Sequence, residues 1–262
     1  MIPASIDLPL AAALIAAGFV AGVMNSIAGG GTLVTFPTLL FAGLPSVVAN
    51  ATSTVALLPA ALSSAAGYWS KLPTVARWLR LFAPVSLAGG LTGGILLVQT
   101  PSRVFDWLVP FLILFATVLF MANSLFARLS GNRATPGSSA SSSWTAGAVV
   151  FQFGVAAYGG YFGAGIGILM LASLGMLGFD DVHEMNALKV ILGFLINVVA
   201  ALYFVWSGLI HWSAAGAMTL GTILGGYAGA HVAQKIPQAR VRAMITAIGL
   251  IISAVMFYRQ FA

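Results

Sequence analysis

The chain has 262 residues, with eleven Lys or Arg and five Asp or Glu: 6% charged against 60% hydrophobic, and a mean hydropathy of +1.02. A soluble domain carries about 25% charged residues, so too few are present here to solvate a globular surface, and a soluble enzyme is excluded. The net charge of +6 comes from basic residues set singly between apolar segments, which excludes a nucleic-acid partner, and zero Cys excludes disulfides and thiolate chemistry.

The first nine residues contain Asp7 and no Lys or Arg. The apolar run behind them lacks the basic flank of a signal peptide and is expected to remain as a span. From Leu8 to Ser70 no side chain is charged, a run of 63 residues. One crossing needs roughly 20 apolar residues, so that run alone holds about three membrane-depth segments. Apolar segments fall at 8–28, 32–42, 47–69, 80–99 and 104–126, then at 144–161, 166–178, 185–207, 212–234 and 241–258. The second of each five is short and follows a glycine cluster. Between the sets, Ala127–Ser143 has six Ser, two Gly and Pro136 with Arg128 and Arg133, the composition of a flexible linker. The chain thus divides into a first transmembrane repeat (1–126), a cytoplasmic linker (127–143) and a second transmembrane repeat (144–262).

A constant shift of 136 residues superimposes Gly18 on Gly154, Gly29 on Gly165, Gly31 on Gly167 and Asn50-Ala51 on Asn186-Ala187. The same shift brings Gly89, Gly90 and Gly93 onto Gly225, Gly226 and Gly229, and Pro101 onto Pro237. Spacing preserved at separate places under one shift marks an internal repeat. Lys71, Arg77 and Arg80 follow the third segment, whereas the equivalent Ser207–Ser213 has no Lys or Arg. Conversely, Lys235, Arg240 and Arg242 precede the last segment, where the first half offers Arg103. Under the positive-inside rule, equivalent loops face opposite sides, so the expected fold is all-α with two inverted-topology repeats. The parity allows five spans per half, or three spans and a re-entrant pair; the short second segments make broken or re-entrant helices the expectation.

Two groups of residues carry the candidate chemistry. The first is the pair of glycine clusters. Asn25, Ser26, Gly29, Gly30, Gly31 and Thr32 precede one short segment; Gly163, Gly165 and Gly167 precede the other. Unwound backbone is tolerated at membrane depth only where it is buried or lines a cavity. A helix starting there would aim its N–H groups and positive dipole end at that cavity, an arrangement suited to anions. The glycines at 89, 90, 93 and 94, and at 225, 226 and 229, read instead as close-packing positions.

The second group opens the third segments. Asn186, Lys189, Gly193 and Asn197 share one helical stripe, and Asn50 and Ser53 hold the equivalent places, with Thr54 adjacent and Thr52 turned away. Polar groups in a span usually face the bundle interior or a water path. Lys189 either attracts an anion or snorkels to an interface about one turn away. Asp180, Asp181, His183 and Glu184 read as a helix start favoured by the dipole; an ion-coupling role is the alternative. No second His completes a metal set, and neither a Gly-x-Ser-x-Gly elbow nor a His-Glu-x-x-His motif occurs. Neither a metal nor a cofactor is expected.

Gly18-Phe-Val-Ala-Gly22 and Ala28-Gly-Gly-Gly31, then Phe36-Pro37, Gly43-Leu-Pro45 and Ala49-Asn-Ala-Thr52-Ser53, resemble the TauE/SafE sulfite exporter family. In the second half Gly163-Ala-Gly-Ile-Gly167 and Met185-Asn-Ala-Leu-Lys189 resemble that family's second repeat. The resemblance implies a cell-membrane permease for small anions such as sulfite, sulfonates and organosulfur acids. It carries function onto the two glycine clusters and the Asn-containing starts of the third segments, Thr52 included. The expected partners are the lipid bilayer, a small anionic substrate and a coupling proton, with the membrane potential as the other energy source. The expected mechanism is alternating access, one repeat rocking against the other. A membrane-embedded enzyme or a non-transporting subunit of a membrane complex is the alternative.

Overall fold

The computed structural model describes residues 6–27, 30–68, 71–130, 142–176, 182–232 and 238–261. Among these residues ten helices follow one another: α1 (Leu8–Ile27), α2 (Thr32–Phe41), α3 (Ser46–Gly67), α4 (Leu72–Gln99), α5 (Ser102–Ser130), α6 (Ser142–Tyr161), α7 (Ile166–Met176), α8 (Val182–Trp206), α9 (Trp212–Val232) and α10 (Gln238–Phe261). Among the described residues five stretches are long and apolar enough to cross a bilayer: Leu8–Asn25, Ser46–Gly67, Leu72–Gln99, Ser102–Leu119 and Glu184–Trp206. No strand occurs among the described residues. The fold is all-α and polytopic, as the composition required.

The short segments are short helices. At 10 and 11 residues, α2 and α7 reach only about 15 and 16 Å, roughly half of a 30 Å hydrocarbon layer. Elsewhere the helices outrun the apolar segments. Helix α4 begins at Leu72 with Pro in its first turn, so Arg77 and Arg80 lie on the helix and not in a loop. There the Arg77 guanidinium sits 5.9 Å from the Trp78 ring, which stacks on Phe82. Helix α5 continues through Ser130 and α6 starts at Ser142, so both ends of the expected linker are helical. Its remainder lies outside the described residues, as do Gly29, Asp180, Asp181 and Lys235.

Hydrophobic burial contributes little to helix association inside a bilayer, so small residues that let backbones approach take its place. A Cβ at Gly18 would land on the Met218 carbonyl, and one at Gly225 on the Phe19 carbonyl, which locks α1 to α9. The equivalent contact joins α4 to α6: a Cβ at Gly89 would lie 2.8 Å from the Phe153 oxygen, and one at Gly160 would meet the Gly90 carbonyl. Gly90 also faces α8, where a Cβ would lie 3.0 Å from the Ile196 oxygen. On the other side, Thr222 of α9 donates a hydrogen bond of 2.8 Å to the Ala56 carbonyl of α3.

These contacts also give direction. Gly18 meets Met218 and Gly22 meets Thr222, so both partners advance by four residues and α1 runs parallel to α9. By the same test Gly89–Phe153 and Gly93–Ala157 make α4 parallel to α6, and Gly90–Ile196 and Gly94–Ala200 make it parallel to α8. Thr222–Ala56 and Gly226–Ala60 make α9 parallel to α3. The long helices therefore form two parallel groups, α1, α3 and α9 in one and α4, α6 and α8 in the other. Helices α5 and α10 pack on each other beside them, through Phe111 and Phe257 among others.

Candidate functional site

The breaks before α2 and α7 need glycine for a backbone reason. Gly30, Gly163 and Gly165 have φ of 90°, 83° and 80°, in the left-handed region where a Cβ is strained. The chain turns back at these points. Gly31 then packs against α1 and α3: a Cβ there would lie 3.0 Å from the Ala21 oxygen and 3.1 Å from the Leu57 side chain. Leu57 is eleven residues, about 16 Å, along α3 from Ser46, so the start of α2 lies at mid-depth in that 22-residue helix.

Around that tip the structure joins Gly31, Thr35 and Ser53. The Thr35 hydroxyl is 2.6 Å from the Ser53 hydroxyl and 3.2 Å from the Gly31 oxygen, and both side chains are fully buried. Thr35 is not among the residues the sequence singles out, although it stands one turn beyond Gly31, the middle one of three Thr at every third position of α2. The first turn of α2 is also internally bonded: Leu33 donates to the Gly30 carbonyl, and Val34 and Thr35 donate to that of Gly31. Those three N–H groups are spent, so fewer backbone donors face the tip than a bare helix end offers. Asn25 and Thr32 are half-buried beside it.

The second tip is built differently. Gly167 lies under the stem of Lys189, where a Cβ would be 3.2 Å from Cδ. The Lys189 ammonium donates 2.9 Å to the Asn186 Oδ1, so these two candidates act as one unit at the start of α7. Lys189 is two turns along α8 from Val182 and is half-buried. Asn197, on the same stripe, comes near Gly163. The Tyr158 hydroxyl donates 2.8 Å to the Ala164 carbonyl, which fixes the loop between the two strained glycines.

Asn50 connects the halves. Its amide nitrogen donates 2.9 Å to the carbonyl of Tyr161, the last residue of α6, while its buried Oδ1 has no partner. Under the 136-residue shift the counterpart of Tyr161 is Asn25. Next to this bond Phe36 of α2 packs edge-on against Phe162 at 5.4 Å. Thr52 does not join the group: its hydroxyl accepts 3.1 Å from the His211 amide at the start of α9. No group of His and carboxylates able to hold a metal occurs among the described residues.

Long apolar helices around two short, glycine-led ones define a multi-pass integral membrane protein with the architecture of a transporter. The chain belongs to the TauE/SafE family: the model described as "Sulfite exporter TauE/SafE" matches residues 14–256. A "Probable membrane transporter protein" of Haemophilus influenzae is 30% identical over 256 residues, covering 97% of each chain. "Probable membrane transporter protein ORF9" of a Sinorhizobium species is 28% identical over 97% of this chain and 93% of its own. "Probable membrane transporter protein YfcA" of Escherichia coli K12 is 24% identical over 91% of this chain and 86% of its own. No solved structure matches the chain. The chain is a membrane transporter by family.

Proposed function

We propose that this transporter moves small anions, namely sulfite, sulfonates or organosulfur acids, by alternating access around a site between the two helix breaks. The observation that carries the reading is the pairing of each short helix with a polar residue of the long helix after it. Ser53 reaches the first turn of α2 through Thr35, and its 136-residue counterpart Lys189 lies on Gly167 at the start of α7. Two dipole ends, one ammonium and several hydroxyl and amide groups make an anion site in a membrane nearly without other charge.

Inverted repeats fit the helix directions. Helix α3 is parallel to α9, and α9 follows α8 through the tight turn at Gly208, with a φ of 69°. A hairpin there makes α8, the repeat mate of α3, run the opposite way. Alternating access would then be a tilt of the group α1, α3 and α9 against the group α4, α6 and α8, with the breaks between them. A proton or the membrane potential would supply the energy.

Counterflow into proteoliposomes with labelled sulfite, sulfoacetate and taurine tests the reading. Uptake that depends on internal unlabelled anion is expected. A well-folded protein that exchanged none of a wide anion panel would sink it.

A further inference from the structure

A cleft of about 760 Å³ lies away from the helix breaks, between α5 and α10 and over the start of α3. Its polar lining is Ser46, Arg103, Asp106 and Gln260. Ser46 opens the span Ser46–Gly67, Arg103 and Asp106 fall in the first turns of the span Ser102–Leu119, and Gln260 is near the end of α10. All four therefore stand at one membrane surface, at headgroup level. At the same level on α5, Val104 and Trp107 are 48% and 53% exposed and form the apolar lip, and deeper along the cleft the wall continues with Val109, Pro110 and Met256.

The chemistry of the lining is that of a zwitterion receptor. Arg103 and Asp106 are one turn apart on α5, and among the described residues no ion pair closes between them. The Ser46 hydroxyl is buried, 3% exposed for the residue, and has no hydrogen-bond partner. It sits in the first turn of the 22-residue helix α3, whose N-terminal dipole adds to the positive side of the cleft. A fork of guanidinium donors, a free hydroxyl and a helix end suit a phosphate diester, and the carboxylate suits an ammonium. Both ends occur together in phosphoethanolamine.

We propose that this cleft binds the headgroup of phosphatidylethanolamine, phosphate on Arg103 and Ser46 and ammonium on Asp106, with an acyl chain along Val104 and Trp107. The same headgroup chemistry exists in soluble zwitterions. The lipid is favoured because the cleft opens onto the lipid-facing wall of α5 and an indole stands at the lip, where interfacial aromatics sit.

The test is native mass spectrometry of the full-length protein released from detergent with defined lipids. Phosphatidylethanolamine should be retained over phosphatidylcholine and phosphatidylglycerol by about tenfold, the scale of one charge-assisted contact. Arg103→Gln should lose about tenfold in retention of every phospholipid; Asp106→Asn should keep binding but lose the preference for ethanolamine over choline. Both positions are exposed, and the wild-type ranking needs no variant. Equal retention of the three lipids, or unchanged preference in both variants, would overturn the proposal. Displacement of the lipid by equimolar free O-phosphoethanolamine would also overturn it, since the apolar lip would then contribute nothing.

Discussion

Gly18 and Gly154 are equivalent in sequence and opposite in packing, so one substitution should change sign between them. At Gly18 a new Cβ falls on the Met218 carbonyl oxygen, 3.1 Å from its carbon and 3.2 Å from the Gly221 Cα. None of these atoms can swing away, because each is backbone of α9. The two helices must separate by a sizeable fraction of an ångström, and overpacking of that kind costs about 1–3 kcal/mol. Replacing Gly by Ala inside a helix gains roughly 0.5–1 kcal/mol from backbone entropy, so Gly18→Ala should lose about 1–2 kcal/mol net. At Gly154 nothing lies within 4 Å of the new atom, and only the gain remains. Thermal unfolding of detergent-purified protein, followed by gel filtration with fluorescence detection, reads the difference. At about 2–4 °C per kcal/mol for a chain of this size, Gly18→Ala should melt several degrees lower and Gly154→Ala slightly higher. Equal shifts of the same sign would refute both the α1–α9 register and the packing role of these glycines.

Three further outcomes follow from the site. Thr35→Val leaves the Ser53 hydroxyl buried without its partner and should lower stability by about 1–3 kcal/mol; a Thr35→Val, Ser53→Ala cycle with no coupling would refute the contact. Gly163→Ala forces a residue with a Cβ to a φ of 83°, costing about 1–2 kcal/mol, and should reduce uptake together with melting temperature, whereas Gly193→Ala, with open space around it, should change neither much. Lys189→Met should weaken protection of the protein by sulfite in a thermal-shift assay more than Arg77→Met does; equal loss would make Lys189 a topology residue.

Much of the architecture was legible because the bilayer imposes simple rules. The ten segments lie close to the ten helices, since runs of Leu, Val, Ala and Phe broken by Gly and Pro leave few other partitions. Helix ends were the weak point: Arg77 and Arg80 looked like a loop, yet α4 already includes them, because a helix continues past the hydrocarbon edge when an aromatic such as Trp78 gives the cation a surface. The glycine breaks were readable from Gly29–Gly31 and Gly163–Gly167, but their uses were not. The 136-residue shift pairs Gly18 with Gly154 but carries no sign that a Cβ would strike another helix only at the former. Thr32, Thr35 and Thr38 recur every three residues in α2, and that spacing does not distinguish Thr35, which meets Ser53, from Thr38, which bonds its own helix at the Val34 carbonyl; Thr52 stands beside Ser53 in the motif. Periodicity separates faces of a helix, whereas hydrogen-bond partners 159 residues apart, as with Thr52 and His211, depend on tertiary packing.

The exchange of helices between the groups bears on how such a chain can be divided. Each half lends its opening helix to the other: α1 rests on α9, and α6 rests on α4. A fragment ending at the linker would keep α1 but lose the glycine face that receives it, so neither fragment should be a stable monomer. Each half is thus completed by the other, and co-expressed halves should find each other without the covalent tether.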